Sequence, residues 1–217
     1  MIQLLKNRSF VFLLTTILVA CNHKPNMGSM PFINKPDFTP EWIDKDNPLF
    51  DSIHQIPAFS FTDQDGKSVT EKTVEDKIYV ANFIFTKCAS ICPKMTANMS
   101  ILQEAFKNDN DVLFLSHSVT PGMDSVLVLK KYAKAKGVIS GKWYLLTGNQ
   151  NDIYRLAKRE YYAGDTIGYY QTGNEFLHTE NFILLDKHRR IRGVYNGTLQ
   201  LEMERLIEDI NMLKEED

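Results

Sequence analysis

The chain has 217 residues, 25 of them basic and 27 acidic, and a formal charge of −2 at pH 7. A balance this close to neutral, with no basic face legible in the sequence, argues against nucleic-acid binding. No internal repeat or low-complexity tract is present, which leaves an ordinary compact domain as the expected class.

Lys6 and Arg8 precede an almost wholly apolar run of 11 residues, Phe10–Ala20. A bilayer span takes roughly 20 apolar residues, so this run reads as the hydrophobic core of a secretory signal. It ends in Leu18-Val19-Ala20-Cys21, which resembles a bacterial lipobox, although an ordinary signal with a chance cysteine or an uncleaved anchor is an alternative. In signals of the lipobox kind the cysteine becomes the lipid-modified first residue of the mature protein. Residues 1–20 are therefore expected to be a lipoprotein signal peptide, with Cys21 as the lipidation site. The mature protein is then expected to be a bacterial lipoprotein anchored to a membrane outside the cytoplasm, on the periplasmic side. Losing Lys6 and Arg8 with the signal takes the formal charge from −2 to −4.

Five of the eight prolines (Pro25, Pro31, Pro36, Pro40 and Pro48) follow Cys21. Residues 21–49 thus read as an extended, lipid-attached tether, within which the aromatic stretch Phe38–Trp42 could dock on the domain. Residues 50–217 are expected to form that domain.

Within it, Ile56–Phe61 followed by Asp63–Lys67 reads as a strand and a turn. Ile78–Phe85 is a short run rich in β-branched and aromatic residues and predicts a buried strand. Pro93 suits the first position of a helix, and Met95, Met99, Leu102 and Phe106 fall on one helical face. Asp111–Ser116 is the next predicted strand. Met123–Lys136 is a predicted helix with Val126, Leu129 and Ala133 inward and Gly137 as its stop. Trp143–Leu146 is a third central strand and Asn151–Glu160 a short helix. Tyr161–Leu177, rich in Tyr and Gly, fits neither period and reads as a long inserted loop, a feature that is often functional. Asn181–Leu185 and Ile191–Tyr195 flank a turn at Asp186–Arg190 and form a hairpin. Leu199, Met203, Leu206, Ile207 and Ile210 make the stripe of a last helix. Alternating strands and helices predict an α/β fold with a mostly parallel sheet, to which the hairpin adds an antiparallel edge.

The chemistry gathers after the second predicted strand. Cys88 and Cys92 form a C-x-x-x-C-P motif, and His178 stands just before a later strand. Two thiolates and an imidazole suit a soft ion such as Cu(I); the same two thiols could also cycle to a disulfide. A purely structural Cys88–Cys92 bridge would close a very small loop, where cross-linking stabilises least. With Pro93 opening the helix, Cys92 is expected at its N-cap, where the positive end of the helix favours a thiolate. Among the other histidines, His23 falls in the tether, while His54 and His188 read as solvated. His117 ends a central strand, near where ligands gather in α/β sheets, and is a weaker candidate ligand. Met95 and Met99 could supply thioethers, but their spacing reads as core. Lys87 could tune the thiols, though a solvated lysine is the plainer reading.

The segments Ala81–Cys88 and Cys92–Met99 resemble the SCO/SenC family, as do Leu129–Ala133, Trp143–Gly148 and His178 ahead of Phe182–Asp186. The resemblance runs from about Ile56 to the C-terminus. It implies a thioredoxin-like fold with a central mixed sheet flanked by helices, in which the strand after His178 lies beside the cysteine-bearing strand. It also implies membrane tethering outside the cytoplasm and copper, Cu(I) or Cu(II), bound by Cys88, Cys92 and His178. The implied partner is the copper-centre subunit of cytochrome c oxidase, or another copper or thiol protein, served as a copper donor or as a thiol reductant. One departure is visible: the family often has Ser-Val-Asp-Pro where this chain has Ser118-Val119-Thr120-Pro121. The leading expectation is thus a copper metallochaperone rather than an enzyme. The alternative is a thiol-disulfide oxidoreductase with Cys88 and Cys92 as its catalytic pair. Zinc is a further possibility for two cysteines and a histidine, but no general base accompanies it. The peroxidase reading is weaker, because Thr86-Lys87-Cys88 is shorter than a Thr-x-x-Cys frame.

Overall fold

The computed structural model describes residues 29–163 and 179–216. The signal segment, Cys21 and His178 lie outside the described residues. In chain order, β1 (Phe32–Ile33) and β2 (Pro40–Glu41) form one hairpin, and β3 (Ser60–Thr62) and β4 (Ser68–Thr70) a second. Then come β5 (Ile78–Ile84), α1 (Cys92–Ala105), β6 (Val112–Ser118), α2 (Val126–Lys136), β7 (Trp143–Leu146) and α3 (Gln150–Arg155). A π-helical turn, Leu156–Glu160, extends α3. β8 (Asn181–Leu185), β9 (Ile191–Asn196) and α4 (Gln200–Glu215) complete the fold.

The central sheet has the order β7-β6-β5-β8-β9. β5 pairs in parallel with β6, and β6 with β7, while β8 runs antiparallel to β5 and β9 to β8. This is the mixed sheet flanked by helices that the thioredoxin-like expectation called for, although it is half antiparallel rather than mostly parallel as the alternation of elements suggested. β5 is the central strand, and every one of its residues is buried; a strand covered on both faces carries a continuous rather than alternating apolar run.

Because successive side chains point to opposite faces, β5 feeds two cores. Ile78, Val80 and Ile84 join Met95, Met99 and Leu102 of α1, Leu129 and Ala133 of α2, and Met203, Leu206 and Ile210 of α4. Tyr79, Ala81 and Phe83 face Phe59, Phe61, Val69, Ile153, Leu156 and Tyr161. Met95 and Met99 have no exposed surface and belong to the core, as their spacing indicated.

Several boundaries differ from the sequence reading. The first strand of the domain occupies Ser60–Thr62 rather than Ile56–Phe61; Pro57 has no N–H to give a ladder. The second helix begins at Val126, not Met123, because the Ser125 side chain accepts the Val128 N–H and caps it there. Gly137 stops that helix in the left-handed conformation, φ 69°. Leu199 lies outside the stripe of α4: it sits at the N-cap and is exposed.

Met30, Phe32 and Ile33, within the segment read from sequence as a tether, are buried against the domain, whereas Trp42 and Leu49 are exposed. Arg192 is buried, and a buried guanidinium must find acceptors. Its Nε donates to the Pro31 carbonyl at 3.0 Å and its Nη2 to Glu216 at 2.6 Å. Its Cζ lies 4.2 Å from the centre of the Phe32 ring, and the Arg190 Cζ lies 4.9 Å from the ring centres of Phe32 and Phe50. The Met30 N–H in turn donates to Glu216. These residues hold the N-terminal segment at the start of β9 and the last turn of α4.

Candidate metal centre

β5 ends at Ile84, and the chain then turns through Phe85–Ile91 into α1. The Cys88 N–H donates to the Phe85 carbonyl at 3.2 Å, and the N–H groups of Lys94 and Met95 both donate to the Ile91 carbonyl at 3.0 Å. The helix therefore begins one residue earlier than expected. Ile91 is its N-cap, Cys92 its first residue and Pro93 its second, where the missing N–H costs nothing.

Both cysteines are free thiols; Cys88 is half-buried and Cys92 buried. The Cys92 N–H donates to Cys88 Sγ at 3.5 Å, so the first amide of the helix faces the first thiol. The two thiols differ in acidity. Desolvation raises Cys88, but the backbone N–H and thiol of Cys92 and the N–H groups of Ser90 and Ile91 outweigh it and hold Cys88 below its ordinary value. Burial pushes Cys92 up to about 12; the Phe85 N–H opposes this and the adjacent Cys88 adds to it. The N-cap placement expected to make Cys92 the acidic thiol is thus reversed. Cys88 receives the amides and Cys92 keeps its proton.

Around the pair, Lys87 is exposed. The Thr96 and Tyr132 hydroxyls share a hydrogen bond at 2.8 Å. Burial raises the Tyr132 phenol, the Thr96 hydrogen bond opposes this, and the nearby Cys92, Cys88 and Asp124 add to the rise. Asp124 is a group the sequence reading missed. It is 1% exposed, and it accepts from Thr86 Oγ1 at 2.6 Å and from the Thr86 N–H at 3.3 Å. It also accepts from Ser118 Oγ at 2.6 Å and Thr120 Oγ1 at 2.9 Å. Thr120, the position lacking the usual family carboxylate, is therefore a donor to a carboxylate four residues on. The only sequence signal was an Asp directly before an N-cap serine.

His117 is not beside the thiols. It has no exposed surface, and it points to the face of the sheet opposite α1, since Ser116 and Ser118 on either side take the other face. There it meets Phe59, Phe61, Phe83 and Tyr161 at 5.4–6.4 Å between ring centres. Neither ring nitrogen has a partner among the described residues. His54, read as solvated, is half-buried: its Nε2 is bonded to the Glu160 carbonyl at 2.9 Å and its ring lies 5.0 Å from Tyr162. His188 is exposed, as expected.

Among the described residues no three His, Cys, Asp or Glu side chains gather around one point. The third candidate ligand, His178, lies outside them. The register of β8 nonetheless has a direction: Leu185 opposes Tyr79 and Ile183 opposes Ala81. The chain N-terminal to Ile183, through Glu180 and Thr179, therefore runs alongside the end of β5 that leads into the cysteine loop. Glu180 is fixed there by the Gly197 N–H, 2.7 Å from its carbonyl.

The SCO1/SenC family model matches residues 51–215. A SCO1/SenC family lipoprotein from Bacillus anthracis str. Ames superposes with a TM-score of 0.65 at 33% identity, covering 74% of this chain and 95% of that one. BsSco, a member of the Sco family of cytochrome c oxidase assembly proteins in which a disulfide switch has been identified, gives a TM-score of 0.64 at 31% identity. That similarity covers 76% of this chain and 96% of BsSco. ScoI of Arabidopsis thaliana, solved with copper bound, gives 0.57 at 26% identity over 71% of this chain and 97% of its own. No described helix is long and apolar enough to cross a membrane.

Proposed function

The chain belongs to the SCO1/SenC family, and we propose that it is an extracytoplasmic copper metallochaperone, lipid-anchored through Cys21, that serves copper-centre assembly in cytochrome c oxidase. Cys88, Cys92 and His178 are the ligands in this reading. The observation that carries it is the thiol pair at the head of α1, with Cys88 half-exposed and supported by amides. The copper-bound ScoI structure and the oxidase-assembly role of BsSco support it by kinship, and the lipoprotein relative supports the anchor.

Copper is the cargo here rather than a resident cofactor. A soft ion prefers thiolate sulfur, and the amides around Cys88 hold its thiol below its ordinary value, which eases formation of that thiolate. Cys92 must shed its proton to become a ligand, so loading releases a proton and weakens in acid. The half-exposed Cys88 leaves an edge at which the thiols of a recipient can exchange with those of the donor.

The asymmetry of the two thiols favours one second reading, a thiol-disulfide reductase. The Cys88 thiolate attacks a disulfide of the partner, forms a mixed disulfide and expels one partner thiolate. Cys92 then gives up its proton and attacks Cys88 Sγ, which releases the second partner thiolate and leaves a Cys88–Cys92 disulfide. His178 has no required part in that sequence.

Titration of the reduced protein with Cu(I) against a competing chelator separates the two readings. The chaperone predicts one tightly held ion, lost in Cys88→Ala and much weakened in His178→Ala. Binding no tighter than the chelator's, or indifferent to His178, would leave the reductase.

A further inference from the structure

We propose that Asp124 is a positioning residue for the cysteine loop, acting through Thr86 as a latch that sets where Cys88 stands relative to Cys92. The inference rests on the reading that this thiol pair is the working site, and holds whether its task is copper or disulfide chemistry.

Three observations carry it. First, Asp124 is a buried carboxylate, 1% exposed, with no Lys, Arg or His among the described residues paired to it. Such a charge is costly unless hydrogen bonds replace its water. Here four neutral donors do so: the Thr86 N–H and hydroxyl and the hydroxyls of Ser118 and Thr120. Second, these donors come from separate stretches of chain. Thr86 opens the cysteine loop two residues before Cys88, Ser118 ends β6, and Thr120 starts the turn toward α2. A group with two oxygens and several lone pairs can gather all of them; an apolar side chain of the same size could not. Third, the ground on which Asp124 stands is itself fixed. Its own N–H and that of Met123 donate to the Thr120 carbonyl at 2.8 Å, and the Val119 N–H donates to the Ile84 carbonyl at 2.9 Å. The loop that carries the carboxylate is thus tied to the strand end from which the cysteine loop departs. Charge-assisted bonds of this kind are short and directional, so the arrangement fixes Thr86 in place. It sits at the C-terminal edge of the parallel strands, where α/β sheets build their sites.

The test uses the full chain in detergent with four variants: Asp124→Asn, Thr86→Val, Thr86→Ser and the Asp124→Asn/Thr86→Val double variant. Three quantities are read: Cu(I) affinity against a chelator, the dithiol–disulfide equilibrium of the metal-free pair in glutathione buffers, and the melting temperature. The latch predicts that Asp124→Asn and Thr86→Val each weaken Cu(I) about tenfold, the low end of the range for residues that orient a ligand. Each also moves the metal-free equilibrium toward the disulfide, because the dithiol geometry loses its support. Thr86→Ser, which keeps the hydroxyl, behaves as wild type, and the double variant is no worse than the worse single one. Variants that melt earlier but stay within about twofold of wild type in both other readouts would reduce Asp124 to a structural group and overturn the proposal. So would an effect of Asp124→Asn that Thr86→Val does not share. If Asp124→Asn fails to fold, the Thr86 pair still decides the matter. If the wild type itself holds no Cu(I), the copper reading falls, while the metal-free equilibrium continues to test the latch.

Discussion

His117 makes the stability of this domain depend on acid in a way that one substitution should isolate. Burial among aromatic rings lowers the imidazole from its ordinary 6.5 to about 3. In the folded state the ring is therefore neutral at every pH above about 3, whereas in the unfolded chain it takes up a proton as pH falls below about 6.5. His117 thus costs no ionisation energy above pH 6.5, and stability is lost progressively as pH falls from about 6.5 toward 3. The slope is about 1.4 kcal/mol per pH unit, which gives about 3 kcal/mol by pH 4.5 and at most about 5 kcal/mol over the whole window. Replacing the ring by leucine, similar in volume, also removes two ring nitrogens that have no partner among the described residues, which should add about 1–3 kcal/mol at pH 7. The assay is urea unfolding of wild type and His117→Leu at pH 7 and pH 4.5. Leucine should be the more stable at both, and its advantage should grow by about 3 kcal/mol at the lower pH. An advantage that does not change with pH would refute the idea that burial holds the imidazole neutral. A leucine variant less stable at pH 7 would mean that a ring nitrogen has a bonding partner after all.

Three further outcomes are expected. In the reduced, metal-free protein, iodoacetamide should modify Cys88 well before Cys92 at neutral pH, because Cys88 is the more exposed thiol and the one held low, while Cys92 stands at about 12; peptide mass spectrometry reads the order, and equal labelling would contradict it. Arg192→Ala should cost about 3–5 kcal/mol in chemical denaturation by stranding Glu216 and the carbonyls of Met30 and Pro31, and should raise amide exchange in residues 29–33. A Cβ at Gly197 would stand 2.5 Å from the Phe182 ring and 2.9 Å from the Glu180 carbonyl. Gly197→Ala should therefore destabilise the fold by about 1–3 kcal/mol and displace the chain that leads back toward residue 178. An unchanged melting temperature would show that Phe182 can yield.

The sequence by itself determined the order and type of the central strands and their helices and the place of the thiol pair, because these are local, whereas the short strands β1, β2 and β4 were not legible in it. A short run such as Ile78–Ile84, rich in β-branched and aromatic residues, reads as a buried strand, Pro93 suits the first turn of a helix, and the apolar spacing of Met95, Met99 and Leu102 assigns a face without reference to what covers it. The strand-helix junction at Cys88 and Cys92 follows from those signals alone. Directional polar contacts are different, since their partners are set by which distant segments the fold brings together. Asp124 meets Thr86 across 38 positions, and Arg192 meets Met30 across 162. No periodicity encodes either pairing, so the latch on the cysteine loop and the docking of the proline-rich segment became visible only in three dimensions. His117 shows the same limit within a single strand. Its position at the end of β6 was legible, but the pleat decides which face it takes, and it turned the imidazole away from the thiols into an aromatic core. The acidity of the two cysteines was decided the same way. A one-residue shift in where α1 begins placed the Cys92 amide on Cys88 and buried the Cys92 thiol, so the more acidic sulfur is the one that precedes the helix.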